Sequence, residues 1–280
     1  MYNNQNQNAS TPLHTREGQG GGSDISPKAE IDPRAKIGKD CKIFPFAYIE
    51  GDVEIGDGCI IFPFVSILNG TRMGRKNKVH QGAVIGALPQ DFEFRGEKSE
   101  CIIGENNIIR ENVVINRATH RGGQTVIGND NFLMEGAHIS HDTKVGNRCV
   151  FGYGTKIAGD CEIEDGVIFS SSVIENPKTR VGTGTVIQAG TTFSHDIPPY
   201  IICTKHGEYG GVNVEVARMH GVDDKTLKHI ANAYRLVFHG KTATFDAVNQ
   251  IEEQVPDGPF IRHIIEFLRS SKTGIITKDL

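Results

Sequence analysis

The residues best suited to chemistry are His138, His141 and Asp142, in the segment GAHISHDTKVG. An imidazole with a pKa near neutrality can accept a proton from a hydroxyl, and a neighbouring carboxylate can fix its tautomer and orientation. The spacing therefore favours His141 as a general base with Asp142 as its partner. Two alternatives stay open: a surface histidine pair without a role, and a metal-binding pair, for which no third ligand is evident.

A six-residue repeat predicts the scaffold that holds these side chains. Ile, Val, Leu, Met or Phe recurs at every sixth position over most of residues 25–193. Neither an α-helix nor a simple strand has this period, which is typical of a solenoid of short strands and turns. The repeat positions before the first interruption are Ile25, Ile31, Ile37, Ile43, Ile49, Ile55, Ile61, Ile67, Met73, Val79 and Ile85. After it they include Ile103, Ile109, Ile115, Ile127, Leu133, Ile139, Val145, Phe151, Ile157, Ile163 and Phe169. The pattern slips at Glu175 and resumes at Val181, Ile187 and Phe193.

Three hexads would close one triangular coil of 18 residues. Adjacent coils would then stack at the spacing of paired strands, about 4.8 Å. Four residues after most repeat positions the side chain is small, and five of the 6 cysteines occupy this slot. We interpret these thiols as small residues packed at a crowded position.

The same arithmetic places Gly159 one coil beyond His141. A glycine stacked on the histidine would leave room for substrate, and its backbone N–H could stabilise a developing oxyanion. Glycine is also common in turns without any such role, so this alternative stays open.

Two segments interrupt the repeat, residues 86–102 and 118–125. They put Asp91, Glu97 and Arg121 on repeat positions, where an unpaired charge could not be buried. Both preserve the six-residue phase, so we expect loops that leave and re-enter the coil at the same corner. Loops on a rigid scaffold often carry binding residues.

The chain changes character at its two ends. Residues 1–22 are polar and Asn/Gln-rich, and we predict a disordered tail or tag. We assign residues 23–200 to the solenoid and 201–280 to a helical subdomain. Helical spacing begins after Gly221 with Asp223 as N-cap, and further helices are predicted over 244–254 and 259–270.

Composition narrows the functional classes. A formal net charge of −4 gives no indication of nucleic-acid binding, and 33 glycines suit many tight turns. Neither a transmembrane segment nor a secretory signal is evident, and the cysteines show no metal-site spacing. We expect a cytoplasmic protein with reduced thiols.

The ordered motifs HISHD, PQDFEFRGE, DIPPY and GVNVE lie on or after the hexads and precede a short helical tail. Together they resemble the acyl-carrier-protein-dependent UDP-N-acetylglucosamine O-acyltransferases of lipid A synthesis, over about residues 24–270. The resemblance implies a mainly β fold, a left-handed parallel β-helix with a small C-terminal α-helical subdomain, and a homotrimer with active sites between subunits. It implies transfer of a hydroxyacyl chain from acyl carrier protein to the sugar 3-hydroxyl, without a metal or bound cofactor.

The resemblance also implies roles for individual residues. His141 matches the catalytic base, Asp142 follows it as in the family motif, and Gly159 matches the glycine whose amide stabilises the oxyanion. The positions that match substrate-binding residues are Asp91, His138, His206, Asn213, Glu215, Arg218 and His220.

Several positions depart from the better-known members. Asn116 and Ala118 replace His and Gly, Glu93 replaces Lys, Asp160 replaces His, Asn176-Pro177 replaces His-Gln, and Met219-His220 replaces two arginines. Glu93 would repel a diphosphate where a cation would attract it. Two further hypotheses therefore stay open: N-acyl transfer to an aminated nucleotide sugar, and a non-catalytic paralogue.

Overall fold

In a computed structural model, residues 22–240 and 242–277 are described, and they form a parallel β-helix followed by helices. Residues 1–21 of the predicted tail lie outside the described residues. Each coil contributes one short strand to each of three sheets, as the six-residue repeat predicted.

The first sheet contains Asp24–Ile25, Lys42–Ile43, Ile60–Ile61, Lys78–Val79, Ile108–Ile109, Phe132–Leu133, Val150–Phe151, Ile168–Phe169, Val186–Ile187, Ile201–Cys203 and Tyr209–Val212. The second contains Glu30–Ile31, Tyr48–Ile49, Ser66–Ile67, Val84–Ala87, Val114–Asn116, His138–Ile139, Lys156–Ile157, Ile174–Glu175 and Thr192–Phe193. The third contains Lys36–Ile37, Val53–Ile55, Thr71–Met73, Glu100–Ile103, Gln124–Ile127, Lys144–Val145, Glu162–Ile163 and Arg180–Val181.

The repeat positions form the interior rows that the sequence predicted. Ile139 pairs in register with Ile157, and Phe151 with Phe169. These four side chains are at most 1% exposed, because the second residue of each of these two-residue strands points into the prism. All 6 cysteines are buried, in agreement with our interpretation of these thiols as packed side chains.

Both interruptions are loops at one corner, between the second and third sheets. The first runs from the strand Val84–Ala87 to Glu100–Ile103, and the second from Val114–Asn116 to Gln124–Ile127. Both are shorter than predicted, since their ends pair with neighbouring coils. We call this edge the second–third corner; it also carries the turn that contains His141.

Glu175 occupies an interior position instead of marking a slip in the coil. It pairs in register with Ile157 on one side and Phe193 on the other, and it is 0% exposed. Burial raises the pKa of Glu175 well above its usual range, while the Thr179 hydroxyl, 3.0 Å from Oε1, acts in the opposite direction. The coil is therefore continuous at this position, and the only change is that a carboxyl replaces an apolar side chain in the interior row.

The C-terminal region begins with strands, which continue the first sheet before the helices start. Strand Ile201–Cys203 pairs in parallel with Val186–Ile187 and extends the first sheet. The predicted helices follow as α2 (Asp224–His239), α3 (Thr244–Gln254) and α4 (Pro259–Ser270), whereas α1 (Val214–Met219) was not predicted. Asp223 caps α2 by accepting a hydrogen bond from Thr226 N at 2.7 Å, as expected.

The helices pack on the last coils. The buried Tyr234 hydroxyl of α2 donates to the Pro199 carbonyl at 2.6 Å. From α4, His263 Nε2 lies 2.9 Å from Glu164, and Phe267 packs under the Arg180 guanidinium. Among the described helices, none is both long and apolar enough to cross a membrane.

Candidate active site

His141 lies in the turn that follows strand His138–Ile139, at the second–third corner. Its Nδ1 atom is 2.9 Å from Asp142 Oδ2 and 3.0 Å from Thr119 Oγ1. The side chain is 11% exposed, so its orientation is fixed by these contacts and by the neighbouring coils. Asp142 adopts a left-handed backbone conformation (φ 59°), which aspartate tolerates better than most residues, and this turns its carboxylate back toward the ring.

The contacts define the tautomer of His141. A carboxylate only accepts hydrogen bonds, so Nδ1 carries the hydrogen and Nε2 presents a lone pair. Nε2 lies 3.6 Å from Asp91 Oδ2, beyond a direct hydrogen bond. Asp91 comes from the first inserted loop, so the two sides of the site belong to different elements. The arrangement can accept a proton from a group placed between the base and the loop.

Gly159 lies directly against His141. A Cβ atom at this position would come within 2.5 Å of His141 Cε1 and 2.7 Å of Nε2. Glycine here makes room for the imidazole itself, in addition to any substrate. Within the described residues the Gly159 N–H makes no hydrogen bond, whereas its carbonyl accepts from Lys178 N at 3.1 Å. A free amide beside the base can serve as an oxyanion donor.

His138 is also part of this cluster. Its Nε2 atom lies 2.6 Å from Asn116 Oδ1, and Asn116 Nδ2 donates to the Leu88 carbonyl at 2.6 Å. Burial lowers the pKa of His138, and the Lys156 ammonium and His141 act in the same direction. Among the described residues, no group of three or more His, Cys, Asp or Glu side chains could hold a metal ion.

Two members of the site were missed as functional residues. Thr119 is 2% exposed and contacts both members of the dyad, because its backbone N–H donates to Asp142 Oδ2 at 3.0 Å. Asn116 was noted only as a departure from the family, yet it is fully buried against His138. Both lie where the six-residue repeat gives way to the second loop, so the repeat carried no signal for their contacts.

The predicted substrate-binding residues near α1 lie elsewhere in the same chain. Asn213 caps α1 and donates to the Gly184 carbonyl at 3.1 Å, and the His220 ring packs against Gly166. Both glycines are in turns that join the third sheet to the first, an edge that we call the third–first corner. Glu215 lies in α1, and Arg218 of the same helix is 2.8 Å from Asp224.

His206 occupies a third location. It is exposed in the turn between the strands Ile201–Cys203 and Tyr209–Val212. One chain therefore brings together His141, Asp142, Gly159, Asp91 and His138, but holds Asn213, Glu215, Arg218 and His220 at a different corner.

Comparisons with known proteins identify related families. Residues 196–276 match the family model described as UDP N-acetylglucosamine O-acyltransferase, domain 2. Residues 34–65 and 124–159 match the bacterial transferase hexapeptide model (six repeats).

Relatives match along most of the chain. An acyl-carrier-protein-dependent UDP-N-acetylglucosamine O-acyltransferase from Nautilia profundicola is 35% identical over 253 residues, which cover 90% of this chain and 96% of that protein. The protein of the same name from Xanthomonas axonopodis is 36% identical over 255 residues, covering 90% and 97%.

Solved structures support the same assignment. A UDP-N-acetylglucosamine acyltransferase from Bacteroides fragilis is 46% identical, with a TM-score of 0.88 and coverage of 90% of this chain and 99% of that chain. One from Francisella novicida is 29% identical, with a TM-score of 0.87 and coverage of 91% and 94%. The fold is a left-handed parallel β-helix with a small C-terminal helical part. The chain belongs to the acyl-carrier-protein-dependent UDP-N-acetylglucosamine O-acyltransferase family and is an acyltransferase.

Proposed function

We propose that this protein transfers a hydroxyacyl chain from acyl carrier protein to the 3-hydroxyl of UDP-N-acetylglucosamine, the first step of lipid A synthesis. The observation that carries the proposal is the environment of His141. Its Nδ1 faces Asp142 at 2.9 Å, and its Nε2 is directed toward the loop that carries Asp91. The Gly159 N–H lies beside the ring and makes no hydrogen bond to any residue that the structure describes. The names of the relatives supply the substrates.

The mechanism follows from these atoms. His141 Nε2 accepts the proton of the sugar hydroxyl while the oxygen attacks the carbonyl carbon of the thioester. The Gly159 N–H stabilises the negative oxygen of the tetrahedral intermediate. The carbon–sulfur bond then breaks, and His141 returns the proton to the departing thiolate. Asp142 stabilises the imidazolium between these two transfers. The mechanism assigns no step to a metal or bound cofactor.

Product analysis tests the proposal. The protein is incubated with hydroxyacyl carrier protein and either UDP-N-acetylglucosamine or its 3-amino analogue, and the products are identified by mass spectrometry. We expect an alkali-labile ester from the hydroxyl acceptor. An alkali-stable amide from the amino acceptor alone would favour N-acyl transfer. No product from either acceptor, with carriers of several chain lengths, would favour a non-catalytic paralogue.

We propose further that the working unit is a homotrimer in which each active site combines two corners from neighbouring chains. Within one chain the dyad at the second–third corner and the α1 residues at the third–first corner are on different edges of the prism. A second copy could bring its third–first corner to the dyad of the first. Asn213, Glu215, Arg218 and His220 would then face the nucleotide beside His141.

An apolar row on the first sheet supports self-association. The first residue of each two-residue strand points outward, as does Ile202 in the strand Ile201–Cys203. In the C-terminal half of the sheet these residues are stacked in register and partly exposed. They are Ile108, Phe132, Val150, Ile168, Val186 and Ile202. A continuous apolar row on a soluble surface is typical of an interface.

Two experiments test the assembly. Light scattering should give three times the chain mass, and the double variant Val150→Lys/Ile168→Lys should reduce it. Mixing inactive His141→Ala chains with inactive Glu215→Ala chains should restore activity, because some mixed sites receive both intact corners. Mixed trimers without restored activity would contradict shared sites.

We place the reaction in the cytoplasm. The support is the set of free, buried thiols, which suits a reducing compartment. Activity in the soluble fraction of cells that express the protein would test this placement, and activity confined to an exported fraction would contradict it.

A further inference from the structure

Asn116 links His138 to the start of the loop that carries Asp91. Asn116 is 0% exposed, with Oδ1 2.6 Å from His138 Nε2 and Nδ2 2.6 Å from the Leu88 carbonyl oxygen. Leu88 immediately follows the strand Val84–Ala87, at the point where the first loop begins. The side chain therefore bridges a second-sheet strand and the loop.

The two contacts leave only one orientation for the amide. A carbonyl oxygen can only accept, so the group of Asn116 that faces Leu88 must be its NH₂. The amide oxygen then faces His138, and since that oxygen can also only accept, His138 Nε2 must carry a hydrogen. The assignment follows from the partners and does not depend on distinguishing amide nitrogen from oxygen.

His138 and His141 are consequently opposite tautomers. His141 carries its hydrogen on Nδ1, toward Asp142, and presents the Nε2 lone pair. His138 carries its hydrogen on Nε2, and its Nδ1 makes no hydrogen bond within the described residues. Burial lowers the pKa of His138 and so disfavours its imidazolium form. The cluster thus offers two acceptor nitrogens, one on each ring.

We propose that Asn116 is a positioning residue that fixes His138 as the Nε2–H tautomer, so that His138 Nδ1 accepts a hydrogen bond from the acetamido N–H of the sugar. In the proposed substrate this N–H is on the carbon next to the reactive hydroxyl. His141 then accepts the hydroxyl proton, which is transferred in the reaction, whereas His138 binds the acetamido N–H, which stays on the sugar. The identity of the donor rests on the proposed function; the tautomer does not.

Spectroscopy tests the tautomer without any substrate. Histidine-selective ¹⁵N labelling and long-range ¹H–¹⁵N correlation distinguish a ring protonated on Nε2 from one protonated on Nδ1. The signals of His138 are identified by their loss in His138→Gln. We expect Nε2–H for His138 and Nδ1–H for His141 near pH 7. An Nδ1–H form or an imidazolium at His138 would overturn the proposal, whatever the activity.

Asn116→Asp tests the coupling. A carboxylate here cannot donate to the Leu88 carbonyl and raises the pKa of His138, so the ring becomes an imidazolium and loses its lone pair. We expect the KM for UDP-N-acetylglucosamine to rise about three- to tenfold, the value of one hydrogen bond, with a smaller change in kcat. The increase in KM should diminish as the pH rises through the raised pKa of His138, because the ring then regains its lone pair. Asn112→Asp, at an exposed turn on another edge, adds the same charge and should leave KM unchanged.

A substrate analogue tests the donor. Replacing the acetamido nitrogen by an ester oxygen removes the N–H, so wild-type enzyme should bind this analogue about three- to tenfold more weakly. Asn116→Asp should discriminate less between the two. Equal KM values for both substrates in the wild type would refute the recognition of this N–H, even if the tautomer is as assigned. Failure to acylate any UDP-sugar would instead refute the proposed function, and the spectroscopic result would remain valid.

Discussion

Gly159→Ala should disable the enzyme by moving its base. An added Cβ would lie 2.5 Å from His141 Cε1, whereas carbon atoms in contact prefer about 3.5 Å or more. The ring must therefore move by about 1 Å. It is held by Asp142 at 2.9 Å and Thr119 at 3.0 Å, so displacement stretches both contacts. Misplacement of a catalytic group by about 1 Å can reduce the rate about 100-fold, and we expect a loss of that order in kcat.

The matched control is Gly51→Ala. Gly51 occupies the same place in its turn, Glu-Gly-Asp after Ile49, as Gly159 does in Ala-Gly-Asp after Ile157. Its new Cβ would meet the guanidinium of Arg34 at 2.6 Å, and that side chain is 78% exposed and can move away. We therefore expect nearly normal activity. Steady-state transfer of acyl groups to UDP-N-acetylglucosamine measures both variants.

Stability separates the contact from a general folding defect. Overpacking should cost Gly159→Ala about 1–3 kcal/mol of unfolding free energy. In a His141→Ala background the ring is absent, and the same alanine should cost much less. Near wild-type kcat for Gly159→Ala, or an equal stability cost in both backgrounds, would refute the proposed contact.

Three further predictions concern neighbouring groups. Asp142→Asn should reduce kcat about 10²- to 10⁴-fold, because the amide can no longer stabilise an imidazolium as a carboxylate does; wild-type kcat would contradict the dyad. Thr119→Val should reduce kcat while Thr119→Ser preserves it, because only serine retains the hydroxyl at His141 Nδ1; equal effects would indicate a packing role. Glu175→Gln should stabilise the fold at pH 7 by on the order of 1–3 kcal/mol, as measured by denaturant unfolding. Because the pKa of Glu175 is higher in the folded than in the unfolded protein, the wild type loses stability as the pH rises above the unfolded-state pKa. The stability difference between Glu175→Gln and the wild type should therefore shrink toward pH 4. A stability difference that does not depend on pH would contradict a buried ionisable group at this position.

The repeat predicted most of the scaffold because its period is a direct consequence of the coil. Ile139 and Ile157 are 18 residues apart in sequence and adjacent in the interior row. The same 18-residue spacing predicted that Gly159 lies beside His141. Glu175 showed the limit of this argument, since a buried carboxyl with a raised pKa can occupy an apolar position without altering the register.

The rest of the site depends on contacts that a period cannot encode. Thr119 is 22 residues before His141, and an inserted loop brings the two side chains together. Asn116 reaches His138 across paired strands but takes its second partner, Leu88, from the start of the other loop. The separation of His220 from the dyad follows from how α1 packs on the prism, and α1 was not predicted from the sequence.

The most direct test of the central claim is the rate of acyl transfer by His141→Ala. Hydroxyacyl carrier protein and UDP-N-acetylglucosamine are supplied at saturation, and the acylated nucleotide sugar is quantified by mass spectrometry, with circular dichroism to verify the fold. If His141 is the general base, the folded variant should lose about 10²- to 10⁴-fold in kcat. A folded variant that retains most of the wild-type rate would show that proton removal does not depend on this imidazole.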